Sequence, residues 1–265
     1  MTLSALVRGI GDVGSAVAHA LHREGCKVII HDLPLPAWTR RKMAFTDAVF
    51  DDEAVLAGVR AVRINELSSL EDMLASSSIA VSVHEFEVLL QAFRPDILVD
   101  ARMRKRQTAA RQIDLARFTI GLGPNFTAQD TTHVVIETAW GDALGAIITD
   151  GISEPHEGEP RLIGGYGIER VVYAPVAGIF ISSFAIGDKV ADGETVAHIG
   201  NESLEAPLGG RLRGLTRNGV PVTQGTKVIE IDPRGEDAVI SGIGERSAKI
   251  ADGAVRAVRD WVLSS

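Results

Sequence analysis

Apolar and polar positions fall into two regimes along the chain. Over the first half, short continuous apolar runs alternate with segments of helical period. Residues 3–7 form one such run and residues 27–32, KVIIHD, form another. Between them Val13, Val17, Ala20 and Leu21 share one face of a helix that Gly25 can end. Further runs predict strands over 59–64, 79–83, 96–100, 118–122 and 133–138, and helices over 68–75, 85–93 and 109–115. Continuous apolar strands suit a sheet buried on both faces. Alternation of strand and helix implies parallel strands joined by right-handed crossovers.

The second regime begins after residues 151–167, a stretch rich in Gly, Glu, Pro and Ser that reads as a linker. From 171 to 231 short strands are separated by glycine-containing turns, an all-β pattern. Residues 248–263 then return to a helical period, with Ile250, Ala254, Ala257, Val258, Trp261 and Val262 on one face. Within the β stretch the chain repeats itself at an offset of 32. Ala174-Pro175, Gly178, Gly187, Val190, Gly193 and Val196 recur as Ala206-Pro207, Gly210, Gly219, Val222, Gly225 and Val228. This pattern resembles the two halves of a biotinyl/lipoyl-type β-sandwich. In such domains a modified lysine sits on the hairpin between the halves, here residues 199–205. No lysine occurs between Lys189 and Lys227. Neither biotin nor lipoate can then be carried, because the amide linkage needs an ε-amine. The expected role of this module is an interface.

Gly9-Ile10-Gly11-Asp12-Val13-Gly14 follows the first strand and opens the first helix. Glycines at this spacing permit the tight turn, close backbone approach to a phosphate, and close packing of helix on strand. The helix N-terminus offers unpaired N–H groups and a positive dipole end. Asp32 closes the second strand, where an acid would hydrogen-bond an adenosine ribose hydroxyl. Together these predict a Rossmann-like nucleotide or cofactor site. Asp12 lies inside the turn and argues mildly against a pyrophosphate there. Asp32 argues against a 2′-phosphate, although Arg40 and Arg41 are close enough in sequence to complicate that. Gly121, Gly123, Asn125 and Thr127 form a second glycine-rich loop behind a predicted strand, and Asp100-Ala101-Arg102 ends another. Both belong on the ligand face of an open α/β sheet. Glu137 stands in an apolar strand and must be paired or near solvent.

Composition narrows the functional classes. The chain has 265 residues, enough for two modest domains, and a formal net charge of −8. A phosphate-backbone binder needs a basic face, so nucleic acid is not an expected partner. Basic runs at Arg40-Arg41-Lys42 and Arg102-x-Arg104-Lys105-Arg106 are solvated faces or an anion pocket. Cys26 is the only cysteine, and His19, His22, His31, His84, His133, His156 and His198 show no metal-ligand spacing. No metal site is expected. The chain shows no signal-peptide layout and no apolar run of spanning length, so a cytoplasmic protein without membrane partners is expected. No nucleophile–base pair stands out.

The motifs combine into a family resemblance that covers nearly the whole chain. They are Arg8-Gly9-x-Gly11-Asp12, Arg40-Arg41 with Ala44-Phe45 and Ala48-Val49, Val99-Asp100-Ala101-Arg102, and Ile120-Gly121-Leu122-Gly123-Pro124-x-Phe126. Val135-Ile136-Glu137-Thr138, Gly164-Gly165-Tyr166, the Ala-Pro repeats and Ile231-Asp232-Pro233-Arg234-Gly235 follow. The chain resembles the accessory proteins of the selenium-dependent molybdenum hydroxylase system. The resemblance implies a maturation factor that handles a cofactor, with a molybdenum hydroxylase or its cofactor-assembly proteins as partner. One departure is Trp140-Gly141-Asp142, where that family has Arg-Gly-His.

The expected architecture is therefore a Rossmann-like parallel-sheet domain over 1–150, a linker over 151–170, a biotinyl/lipoyl-like barrel-sandwich module over 171–235, and a C-terminal helical segment over 236–265. Gly9, Gly11, Asp12, Gly14, Asp32, Arg40, Arg41, Asp100, Arg102, Gly121, Gly123, Asn125 and Thr127 are the expected cofactor contacts, with NAD or a molybdopterin-type cofactor as ligand. The rival functions are a NAD(H)-dependent oxidoreductase and a non-catalytic adaptor. A homo-oligomer is compatible with either.

Overall fold

The computed structural model describes residues 2–104, 109–155 and 161–264. Two compact units share the chain, and neither is continuous. The first comprises Met1–Pro34, Ala44–Glu157 and Ile243–Ser265; the second comprises Leu35–Met43 and Gly158–Gly242.

The first unit contains β1 (Ser4–Arg8), α1 (Asp12–Arg23), β2 (Lys27–His31), α2 (Ala48–Asp51), β3 (Glu53–Leu56), β4 (Val59–Arg63), α3 (Leu70–Ala75), β5 (Ile79–Ser82) and α4 (Phe86–Phe93). It continues with β6 (Ile97–Asp100), β7 (Phe118–Leu122), β8 (Thr127–Ala128), β9 (Val134–Ile136), β10 (Ile147–Ile148), β11 (Gly151–Ile152) and α5 (Glu245–Ser264). Nine strands form one sheet in the order β10-β9-β7-β6-β1-β2-β5-β4-β3. The seven inner strands run parallel, while β3 and β10 pair antiparallel at the two edges. The β3–β4 hairpin turns on Ala57 and Gly58, both at positive φ (46° and 81°), which is what a tight two-residue turn of this hand requires.

The apolar runs of the inner strands are covered on both faces. Leu6, Ile29, Ala80 and Leu98 meet Leu70 of α3 and Phe86 and Leu89 of α4 in one buried cluster. On the unit's other helical layer α5 packs along α1. α5 also lies close against the loop before β10, because Gly253 and Gly145 lack side chains: a Cβ at Gly253 would stand 2.3 Å from the Gly145 carbonyl oxygen. Arg256 Nη2 donates to the same oxygen at 2.8 Å, and Trp261 stacks on Phe118 with ring centroids 5.1 Å apart.

The second unit contains β12 (Val171–Tyr173), β13 (Gly178–Ile181), β14 (Lys189–Val190), β15 (Thr195–Ile199), β16 (Glu202–Glu205), β17 (Gly210–Leu215), β18 (Pro221–Val222) and β19 (Lys227–Asp232). These make two four-stranded sheets, β12-β19-β17-β14 and β16-β15-β13-β18, around a common apolar core that includes Phe180, Leu212, Val196 and Val228. The 32-residue repeat is visible in the strands, since β13, β14 and β15 start 32 positions before β17, β18 and β19. The halves exchange partners: β14 pairs with β17, and β18 with β13. Gly193 N–H donates to the Ala206 carbonyl, and Gly225 N–H to the Ala174 carbonyl, each bond crossing to the other half.

These observations correct the expected series of Rossmann-like parallel domain, biotinyl/lipoyl-like barrel-sandwich hybrid and trailing helix. The large sheet is mixed, because short antiparallel strands close both of its edges. The last helix belongs to the first unit, because its Ile250, Ala254, Ala257 and Val258 face is buried there. Residues 35–43 belong to the second unit: the Thr39 carbonyl accepts from Leu215 N–H, and Lys42 Nζ donates to the Ile186 carbonyl at 2.7 Å. The helix expected over 109–115 is a single turn at Ile113–Leu115. Lys105, Arg106 and His156, named above, lie outside the described residues, as does the middle of the expected linker. Among the described residues, no helix is long and apolar enough to cross a membrane.

Candidate functional site

Four inner strands of the first unit end their apolar runs on a polar residue: β5 on Ser82, β2 on His31, β1 on Arg8 and β6 on Asp100. The registers align them as one row, with His31 opposite Ser82 and Arg8 opposite both His31 and Asp100. Side chains alternate along a strand, and the residues two positions earlier face α3 and α4. The polar row therefore lies on that same side, at the carboxyl end of the sheet. β1 is the place where the strand order changes direction, with β2 on one flank and β6 on the other. In open α/β sheets the crevice at such a point is where ligands bind.

Arg8 is half-buried and lies over the Phe86 ring, its Cζ 3.5 Å from the ring centroid. Its Nη1 donates to Gln112 Oε1 at 3.2 Å, and its buried Nε has no hydrogen-bond partner. Burial above all, and then the charge of Arg102, pulls its pKa down to about 10. Gln112 hands the contact on, its Nε2 donating to Asp100 Oδ2 at 2.8 Å. Asp100 is buried and holds Arg102 through Nε at 2.9 Å and Nη2 at 2.5 Å. Burial would raise the Asp100 pKa, but the bonds and charge of Arg102, helped by Gln112, outweigh it and hold the carboxyl below its usual value. Asp100 is thus matched by Arg102. No carboxylate among the described residues is within ion-pair distance of Arg8.

His31 sits beside Arg8 with Nε2 2.8 Å from the His84 carbonyl oxygen. A carbonyl only accepts, so Nε2 carries the proton. Burial first lowers the His31 pKa, and Arg8 and Arg102 push in the same direction against the His84 bond and Asp32. The imidazole is neutral at pH 7. His84 Nδ1 lies 3.0 Å from Ser82 Oγ, but Ser82 is completely buried and out of reach of a substrate.

The glycine turn leads from Arg8 into α1. Gly9 has φ +106°, and its N–H donates to the His31 carbonyl. A Cβ at Gly14 would stand 1.9 Å from the Gly9 carbonyl oxygen, so only glycine lets the helix begin so tightly against the turn. Gly11 is the residue before the helix and Asp12 its first. Asp32 Oδ2 accepts from Ile10 N–H at 2.7 Å, and Oδ1 accepts from Leu33 N–H at 2.7 Å. The acid expected at a ribose thus holds the glycine turn itself. Ser15 and Thr46 hydroxyls donate to the Ile10 carbonyl and pin it from the other side.

The second glycine loop closes on itself. A Cβ at Gly121 would collide with Phe126, and one at Gly123 would stand 2.6 Å from Thr138 Oγ1. Asn125 has φ +78° and donates to the Arg104 carbonyl at 2.7 Å, while Thr127 N–H donates to Thr131 Oγ1 at 2.7 Å. Glu137 is buried as a clamp: Oε1 accepts from Thr138 and Ala139 N–H at 2.6 and 2.7 Å, and Oε2 from Glu154 N–H at 2.7 Å.

Arg40 and Arg41 belong to the second unit. Arg41 Nε donates to the Leu215 carbonyl at 2.9 Å. Arg40 grips Glu230 through Nε and Nη2 at 2.8 and 2.9 Å. Glu230 is fully buried and also accepts from Arg170 and Lys227, with Arg213 Nε at 3.4 Å. Burial would raise its pKa, but Lys227 and then Arg40 hold it well below the usual value.

Of the expected contacts, the structure brings Gly9, Gly11, Asp12, Gly14, Asp32, Asp100, Arg102 and Gly121, the register partner of Asp100, to one edge of the first sheet. Three neighbours escaped the sequence reading as site residues: Arg8, His31 and Gln112. The signal for the first two was present, because each is the polar residue that ends a buried apolar run. Gln112 had none, since its place depends on an irregular loop. Among the described residues, no group of three or more His, Cys, Asp or Glu side chains could hold a metal ion.

No protein-family model matches the chain. The chain is similar to a protein of Escherichia coli (strain K12) named uncharacterized protein YqeB, with 38% identity over 253 residues, 96% of this chain and 47% of that one. It thus spans about half the length of the curated relative it matches. Among solved structures it is similar to the product-bound ectoine utilization protein EutE (DoeB) of Ruegeria pomeroyi, with 15% identity, 87% and 85% of the two chains covered, and a TM-score of 0.25. A succinylglutamate desuccinylase/aspartoacylase of Rhodobacter sphaeroides gives 16% identity, 87% and 85% coverage, and a TM-score of 0.27. The second of these is named a succinylglutamate desuccinylase/aspartoacylase, where the sequence motifs pointed to accessory proteins of the selenium-dependent molybdenum hydroxylase system. Neither the curated relative nor the solved structures named here carry the name of an accessory protein of that system, and molybdenum hydroxylase maturation is withdrawn as the function.

Proposed function

We propose that the first unit binds a small anionic molecule at the carboxyl edge of its sheet, between the glycine turn and Arg102. One observation carries the reading: among the described residues Arg8, half-buried at the switch of strand order, has no carboxylate partner within ion-pair distance and a buried Nε without an acceptor. Phe86 and Gln112 fix the guanidinium in place, so little side-chain entropy remains to be lost on binding. The first turn of α1 adds N–H groups that have no partner within the helix, and a dipole of the right sign. Of the nearby carboxylates, Asp100 is engaged by Arg102 and Asp32 by the backbone of Ile10 and Leu33, while Asp12 stands in the first turn of α1. NAD and molybdopterin-type cofactors both carry phosphate and fall in this class. The engagement of Asp32 favours a ligand whose recognition begins at the phosphate and not at a ribose.

The test is thermal unfolding in inorganic phosphate, NAD or chloride at matched ionic strength, for the wild type and Arg8→Met. A ligand at one hundred times its Kd stabilises by about 2.7 kcal/mol. The wild type is expected to shift upward with at least one phosphate-bearing probe, and Arg8→Met to lose the shift. No shift with either probe, or an equal shift in Arg8→Met, would overturn the reading.

A further inference from the structure

The geometry points to a ligand whose anionic group carries two charges, as a phosphate monoester does, with His31 as the residue that selects it by taking up a proton beside Arg8. This rests on the carboxyl edge being an anion site. Arg8 and His31 are register partners on adjacent strands, so their side chains stand next to each other on one face. A single guanidinium matches a single negative charge. A second charge on the ligand calls for a second cation. The groups that face His31 are Arg8 on β1, Asp32 after β2, Ser82 and His84 at the end of β5, Phe86 on α4 and Arg102 after β6, while Glu87, Asp100 and Arg104 act on Arg8. Arg102 is held bidentately by Asp100, so it enters only by giving up a buried partner. His31 can supply the charge without breaking any bond. Its Nε2–H already donates to the His84 carbonyl, and the added proton goes to Nδ1. Without ligand, burial and Arg8 keep the ring neutral. A dianion placed against Arg8 reverses that balance by adding negative charge next to the ring.

Sulfate is the probe, because it stays a dianion throughout the range in which histidine titrates. Calorimetric titration in two buffers of different ionisation enthalpy counts the protons taken up. The wild type at pH 7 is expected to take up close to one proton with sulfate and far less with the monoanion nitrate. Sulfate affinity should rise by up to about tenfold for each pH unit lowered, as one linked proton requires. His31→Gln should bind sulfate with a flat pH profile, and His84→Gln should keep the proton uptake. Sulfate binding without proton uptake in the wild type overturns the role of His31, whatever the variants do. So does uptake that survives in His31→Gln or disappears in His84→Gln. Absence of any sulfate or nitrate heat in the wild type instead overturns the anion site itself, so the two failures read differently.

Discussion

Replacing Glu230 with glutamine removes one charge from the most heavily loaded carboxylate in the second unit. The side chain is fully buried, and Arg40, Arg170 and Lys227 donate to it, with Arg213 close by. Glutamine keeps one acceptor oxygen but turns an NH2 group toward donors. Arg170, itself 1% exposed, is left as a buried cation with no carboxylate of full charge beside it. Removing one partner of a buried ion pair costs about 3–5 kcal/mol. A whole domain is stable by only about 5–15 kcal/mol, so about a fifth or more of the unit's stability is at stake. Urea unfolding followed by a probe in this unit, such as the fluorescence of Tyr166 and Tyr173, should show a lower midpoint at unchanged slope. Acid adds a second signature. The Glu230 pKa is depressed by folding, so its contribution is present above about 4.3, the unfolded value, and fades as pH falls toward the folded value. The variant should lose stability less steeply than the wild type in that acid range. A loss below about 1 kcal/mol would refute the reasoning, since it would mean that the cations rearrange freely or find water. Pairing the change with Arg170→Met should restore part of the loss, because removing both charges also removes the uncompensated one.

Gly253→Ala sets helix propensity against geometry. Alanine should gain about 1 kcal/mol in a helix interior, yet its Cβ would stand 2.3 Å from the Gly145 carbonyl, so α5 must move and thermal unfolding should show a net loss of about 1–3 kcal/mol. Glu137→Gln should put an NH2 group against a backbone N–H in the clamp that joins Thr138, Ala139 and Glu154. Losing bonds to a charged acceptor costs about 1.5–3 kcal/mol, and amide exchange at those three positions should accelerate while the β19 amides stay unchanged.

Much of the architecture was written in local pattern. KVIIHD reads as a buried strand, and it is one, because an inner parallel strand needs nothing but apolar residues and a polar end. The repeat was legible because Gly187, Gly193, Gly219 and Gly225 all need positive φ, which fixes their spacing. What escaped depended on partners distant in sequence. The edge strand Glu53–Leu56 is too polar to announce itself and exists because β4 offers it a register. The home of α5 could not be read from adjacency, since α5 follows the second unit in the chain but packs in the first. At the candidate site the glycines were visible as a motif. Arg8 and His31 were single letters until the strand registers placed them side by side. Arg40 and Arg41 looked close to Asp32 by position, but buried Glu230 holds Arg40 in the other unit.

The sharing of the chain between units has a consequence for how the protein is made. The backbone passes from one unit to the other at residues 34–35, 43–44, 157–158 and 242–243. α5 is synthesised about 220 residues after α1, at elongation rates of about 5–20 residues per second. For ten seconds or more, the nascent sheet therefore has an α1 layer without its neighbour, and the apolar surface later covered by Ile250, Ala254 and Val258 stays open to water. The second unit has its whole sequence before then. A released chain that ends just before residue 243 should thus present a folded β unit tethered to a sheet that chaperones still bind.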